Sequence, residues 1–268
     1  MDFTFPVLDK VGTPILLAIF LLLFLLESKF ELRKRNESRT KRIVRNVSIA
    51  VISFIFLKFL LIPVMVLLAA KAEEEKIGLL NLLELPVWIK FVLGFLALDY
   101  GNYLWHIINH KVPFLWRFHN IHHMDLDLDV TTAIRFHFGE VLLSVVSRGG
   151  VILLIGASPY LVLIYEIVFE AATNFHHSNL RLPLKFERLL NKLLVTPSMH
   201  GIHHSTKKLE RDSNYSVVFS FWDRIHETIR IHIPQSELEI GVPSHRIFSE
   251  QTAVNLLLLP FKKQRPID

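Results

Sequence analysis

Apolar runs long enough to cross a bilayer constrain this chain more than any other feature, and they separate it from a soluble enzyme. From Pro14 to Leu26 the sequence is almost continuously apolar, and with its flanks the run reaches 11–27. At about 1.5 Å of helical rise per residue, that is just enough for roughly 30 Å of hydrocarbon. We read it as a retained anchor, since no small-residue cleavage site follows it. A second span runs over 47–70, with Pro63 expected to kink it and Lys58 expected to face protein rather than lipid. A third is expected over 85–105. Two shorter runs lie within 140–172, separated by the turn-forming stretch from Gly156 to Tyr160. They read as a helical hairpin that dips into the membrane and returns, or as two tilted spans with the same sidedness.

Charge sets the orientation. The loop 29–45 carries Lys29, Arg33, Lys34, Arg35, Arg39, Lys41, Arg42 and Arg45, whereas the next loop carries Glu73, Glu74 and Glu75. The positive-inside rule places the first loop in the cytoplasm and the N-terminus outside. His106 and His110 then emerge at the cytoplasmic end of the third span. Because much of the basic charge flanks apolar spans, the net charge of +5 points to a membrane surface and not to nucleic acid. A short apolar patch over 254–261, followed by Lys262, Lys263 and Arg265, suits the membrane surface or a core element equally.

Eleven of the fourteen histidines fall between His106 and His204. His106 and His110 share one helical face, as do His119, His122 and His123, and the triplet spacing recurs at His200, His203 and His204. Eight imidazoles on three faces, with His137 and His177 as singletons, suffice for two metal ions, where a single zinc needs three or four ligands. With no cysteine in the chain, the ligands must be nitrogen or oxygen. Imidazole alone does not choose among iron, zinc, copper and nickel. Placement at the mouth of a membrane bundle, where acyl chains can enter, points to lipid C–H chemistry and favours iron.

Asp99, Tyr103, His106 and His110 form one helical stripe, so Asp99 and Tyr103 are expected to orient imidazoles from below. Glu166, Glu170, Thr173 and His177 form another, with Arg148 as its expected charge partner. Of the adjacent pair His176 and His177 one is taken as spare, leaving His176 a supporting role. His226, His232 and His245 read as ordinary surface or core histidines, Asp125, Asp127 and Asp129 as a solvated loop, and Trp105, Trp116 and Trp222 as interfacial residues. His122 and Asp127 also match a short acyltransferase pattern, which leaves the other histidines unexplained.

From about Asp99 to Thr228 the chain resembles the sterol desaturase and fatty acid hydroxylase superfamily of membrane-bound di-iron oxygenases. The resemblance rests on His106-Ile-Ile-Asn-His110, Arg117-Phe-His-Asn-Ile-His-His123, Arg135-Phe-His137, Asn174-Phe-His-His-Ser-Asn179, Thr196-Pro-Ser-Met-His-Gly-Ile-His-His204, Asn214-Tyr215 and Trp222-Asp-Arg224. It implies an all-α integral membrane protein, a transmembrane helical bundle with a cytosolic, histidine-rich di-metal cap. It implies two Fe ions on His106, His110, His119, His122, His123, His137, His177, His200, His203 and His204, with Zn able to occupy the sites in purified material. It also implies that dioxygen is used to hydroxylate or desaturate a lipid, with electrons from a cytochrome b5-like or ferredoxin-like reductase system. Ile107, Phe138-Gly139 and His226-Glu227 depart from the usual pattern, and none of them removes a ligand. The expected organisation is 1–84 as N-terminal helices and basic loop, 85–232 as catalytic domain, and 233–268 as a cytosolic tail. Other readings of the same histidines are a zinc-dependent lipid hydrolase, for which so many imidazoles are excessive, and a b-type haem electron carrier, which the triplet spacing disfavours.

Overall fold

The computed structural model describes residues 8–265. Its organising helices are α1 (Thr13–Lys29), α2 (Arg39–Phe56), α3 (Ile62–Glu74), α4 (Val87–Lys111), α5 (Pro113–His123), α6 (Phe138–Ile155), α7 (Pro159–His177), the short α8 (Pro197–His203) and α9 (Ala253–Leu258). Among the described residues no β-strand forms, only isolated bridges. Backbone in hydrocarbon has no water to bond to, and a helix satisfies it within the segment.

Three described helical stretches are long and apolar enough to cross a membrane: Lys10–Lys29, Arg39–Leu82 and Phe138–Ile155. These mark an integral membrane protein. The run expected at 85–105 is indeed one helix, α4, but it falls outside those three because Lys90, Asp99 and Asn102 dilute its apolar character. Asp99 and Asn102 are buried within the bundle. On α1, by contrast, Leu17, Leu21, Leu22 and Leu25 are all exposed, the surface expected where lipid and not water is the neighbour. Between α2 and α3 a π-turn, Leu57–Leu61, interrupts the regular ladder just ahead of Pro63, whose missing N–H and ring could not sit in an unbroken α-helix.

Helix α3 packs on α6 and α7, α4 on α5 and α6, and α1 on α7. The core runs through Leu61, Met65, Ala69, Leu98, Ile152 and Leu161. The hairpin α6–α7 turns where expected: Gly156 takes a left-handed φ of 73°, and the Ser158 hydroxyl accepts from Leu161 N to start α7. At this end Gly78 lies so close that a Cβ there would come 2.1 Å from Gly156 N. Asn81 ties the two turns together, its Nδ2 donating to Ala72 O, Ile77 O and Gly156 O.

The opposite end holds the histidines and also the basic loop. Leu32 N donates to Asn179 O at 2.8 Å, and the Glu27 carboxylate accepts from Val130 N and Asn179 N. Asp125, Asp127 and Asp129 are not solvated, contrary to expectation; all three are buried. Arg42, fully buried itself, supplies the compensating charge, donating to both Asp125 oxygens and to Asp129. Asp127 instead takes the Asn36 and Glu37 backbone N–H groups. Residues after 232 also join this end: Val242 and Leu256 pack with Ile49, Trp116 and Ile121, and Gln251 accepts from Arg135. The patch at 254–261 is helical, with Leu256 buried and Val254 and Phe261 exposed.

Candidate metal centre

Four elements deliver the imidazoles. The last two turns of α4 bring His106 and His110, α5 brings His119, His122 and His123, the end of α7 brings His177, and α8 with its C-cap brings His200, His203 and His204. Pro113 and Pro197 begin α5 and α8, positions where a missing N–H costs nothing. The histidines converge as two groups, His106, His110, His119, His123 and His203, and His122, His177, His200 and His204. Within each group one nitrogen per residue lies within 4.8 Å of all the others. The groups adjoin, since the His123 and His204 rings stack at 4.3 Å.

Nine of the ten expected ligands are brought together. His137 is not among them. Its Nδ1 accepts from Gly139 N at 2.9 Å as the N-cap of α6, and its Nε2 faces Leu257 O at 3.1 Å. Both nitrogens are thus committed elsewhere.

Backbone carbonyls and one carboxylate fix the rings. The Nδ1 atoms of His106, His177 and His203 face Tyr215 O, Thr173 O and Ser213 O at 2.7–2.8 Å. A carbonyl can only accept, so each Nδ1 carries the proton and each Nε2 presents its lone pair. His119 Nδ1 lies 2.8 Å from Glu140 Oε1, a buried pair that turns its Nε2 the same way. Glu140 and these carbonyls escape sequence reasoning, because a carbonyl has no side-chain signature and Glu140 belongs to another helix.

Asp99 and Tyr103 do not orient imidazoles. Asp99 accepts from Trp222 Nε1, Phe219 N and Tyr165 OH, tying the 219–222 segment to the bundle. Tyr103 OH lies 2.8 Å from Thr228 Oγ1, which itself donates to Asp223. His176 belongs to neither group; its ring packs 4.1 Å from that of His200. Glu170 lines a cavity below the site. Trp116 is not interfacial but buried, its ring 4.9 Å from His110 and 5.3 Å from His123. Asp127, engaged with Asn36 and Glu37, makes no acyltransferase-like pair with His122.

Burial and the repulsion of neighbouring imidazoles hold His122, His123, His200, His203 and His204 well below the ordinary histidine range. They are therefore neutral, which is the ligating form. Nε2 of His106 and His203, and both nitrogens of His110, are buried without a hydrogen-bond partner in the protein. Such atoms carry a full desolvation cost unless something binds them. Elsewhere Nε2 atoms approach one another, His122 to His177 at 2.9 Å, His177 to His200 at 3.0 Å, His200 to His204 at 3.1 Å and His119 to His123 at 3.2 Å. Ligands on metal–nitrogen bonds of about 2.0–2.1 Å sit about 2.9–3.4 Å apart in octahedral or tetrahedral geometry. Each group can hold a metal ion, and the residues fit a pair.

A small cavity of about 70 Å³ touches His106, His119, His122, His177 and His200. It shares Asn102, Trp105, Phe136, Glu140 and Phe169 with a larger one of about 420 Å³. The larger cavity is walled mainly by apolar residues of α1, α2 and the π-turn after it, among them Leu16, Phe20, Phe54 and Leu57, with α6 and α7 opposite.

The sequence profile of the fatty acid hydroxylase family matches residues 91–228, about half of the chain and every histidine of both groups. The chain belongs to the fatty acid hydroxylase family. Among curated relatives it is 31% identical to an alkylglycerol monooxygenase of Danio rerio over 190 residues, 69% of this chain and 40% of that protein. It is 29% identical to the ornithine lipid hydroxylase OlsE of Rhizobium tropici, over 59% of this chain and 46% of the relative. It is 25% identical to a cholesterol 25-hydroxylase of Rattus norvegicus, over 60% of this chain and 53% of that protein. The matched part is less than half of the alkylglycerol monooxygenase and OlsE sequences. No solved structure matches the chain significantly.

Proposed function

We propose that this member of the fatty acid hydroxylase family is a membrane-bound di-iron oxygenase that inserts oxygen into a C–H bond of a lipid. The observation that carries the reading is the connection of the two histidine groups, through the small cavity they line, to a largely apolar cavity walled by α1 and α2. Five imidazoles in the first group exceed what tetrahedral zinc takes, and suit a six-coordinate metal with a position left open. The names of the relatives, a monooxygenase and two lipid hydroxylases, favour hydroxylation over desaturation.

His106, His110, His119, His123 and His203 would hold one iron, and His122, His177, His200 and His204 the other. Bound iron supplies reductive activation of dioxygen, so that one oxygen atom enters the lipid and the other leaves as water with two protons and two electrons. A separate redox protein, cytochrome b5-like or ferredoxin-like, supplies the electrons. The chain's own part is to hold the imidazoles neutral, to aim them through Glu140 and three carbonyls, and to guide an acyl or sterol chain past Phe136 and Phe169. We place the N-terminus outside and the histidines at the cytoplasmic face; the support is that the basic loop 29–45 lies at the histidine end of the bundle.

The test is His203→Ala. Iron per purified protein and oxygen-dependent conversion of membrane lipid, read by mass spectrometry of cells with and without the chain, should fall together. Full conversion after iron loss, or turnover in anaerobic buffer, defeats the proposal; the latter outcome favours a zinc hydrolase.

A further inference from the structure

The larger cavity has one strongly polar stretch of wall far from the histidines. Arg148 on α6 and Glu170 on α7 both line it, in a pair of helices otherwise rich in apolar residues. Arg148 already has a structural partner: its Nη2 donates to Glu166 Oε1 at 2.5 Å, and its guanidinium lies 4.8 Å from the Phe169 ring centre. That pair ties the two arms of the hairpin together. Glu170 is different, since it makes no hydrogen bond with any described residue and faces the cavity. A carboxyl group in the wall of a largely apolar cavity with no hydrogen-bond partner is costly, and marks a candidate binding group.

Glu140, which abuts His119, and Arg148 are both on α6 and both line the cavity. Eight residues of helix separate them, about 12 Å; Glu170 and His177 are seven apart on α7, about 10 Å. The polar wall and the histidine cage thus stand on the order of 10 Å apart along a mostly apolar cavity.

We infer that Glu170, with Arg148 beside it, selects lipids carrying a hydroxyl group on the order of 10 Å from the carbon presented to the histidines. A hydroxyl donates to the Glu170 carboxylate and accepts from the remaining guanidinium N–H groups, so both are satisfied at once. An ammonium group would answer the local excess of negative charge from Glu166 and Glu170, but carrying an ion through an apolar cavity costs far more than carrying an alcohol. The inference rests on the lipid oxygenase reading and makes Glu170 a specificity-determining residue.

Octadecanol, octadecane and octadecylamine serve as probes on the purified full chain in detergent. Binding is read as thermal stabilisation, without turnover, and the position of oxidation is read by mass spectrometry after turnover with dioxygen and a reduced ferredoxin-like electron donor. The wild type should bind octadecanol about tenfold more tightly than octadecane, and oxidise it at one position set by its distance from the hydroxyl. In Glu170→Leu both lipids should bind alike and the oxidised positions should scatter, whereas Glu170→Gln, which still accepts through its amide oxygen, should keep the preference. Equal loss of both lipids in Glu170→Leu would mean that the residue is only structural, and tighter binding of octadecylamine would overturn the hydroxyl assignment. Selective binding by the wild type without oxidation of any lipid sinks the oxygenase reading and leaves Glu170's selectivity standing.

Discussion

Replacing Arg42 with methionine should remove more stability than any other single change at the histidine end of the bundle. The guanidinium is fully buried and makes five hydrogen bonds: Nε and Nη2 to the two Asp125 oxygens at 3.0 and 2.8 Å, Nη1 to Asp129, and Nη2 to Thr132 Oγ1 and Asp127 O. Burial by itself would raise the Asp125 pKa, yet the charges of Arg42 and Arg135 outweigh it and hold the group below the usual carboxylate range. Methionine fills much of the space and leaves two buried carboxylates without their main counter-charge. Breaking a buried pair from one side costs about 3–5 kcal/mol. For a protein of this size that is a fall in Tm of roughly 6–20 °C. The assay is thermal unfolding of the detergent-solubilised protein, followed by circular dichroism at a fixed scan rate. Adding Asp125→Asn and Asp129→Asn to the Arg42→Met background should restore more than half of the loss, because the orphaned charges go with it. An Arg42→Met protein that melts within about 2 °C of wild type, or a triple variant no better than the single one, would show that the network carries no net electrostatic weight.

The other predictions separate ligands from supports. His137→Ala should leave iron stoichiometry unchanged while costing about 1 kcal/mol through loss of the α6 cap, read as metal content beside Tm; a halved iron content would return His137 to the ligand set. Glu140→Gln should weaken metal binding by about 10–100-fold while the helical content stays constant, measured by competition with a chelator. Trp222→Phe should loosen the 219–228 segment by freeing Asp99, seen as faster amide exchange there with iron retained.

How much of this was legible beforehand depends on the range over which each interaction acts. Histidine pairs and triplets at spacings of three and four announce a shared helical face, and that local rule found eight of the nine residues that gather, His177 being the ninth. It could not divide them. The two groups cut across the triplets, since His119 and His123 join His106 and His110 while His122 turns to His177, and His203 leaves His200 and His204 for the first group. Spacing specifies a face, but only the crossing of α4, α5, α7 and α8 says which part of that face meets which neighbour. The same limit explains Asp99 and Tyr103: they share the stripe of His106, but Asp99, two turns away, and Tyr103, one turn away, each meet a different partner, here Trp222 and Thr228. Asp125, Asp127 and Asp129 read as a loop because alternating acids usually are one, and the residue that makes their burial tolerable, Arg42, lies eighty-three positions before Asp125. That arginine had been counted toward the orientation of the first loop. Its contacts also close the end of the bundle where the histidines gather. A neutral residue there should cost stability even in a protein whose orientation in the membrane is unchanged.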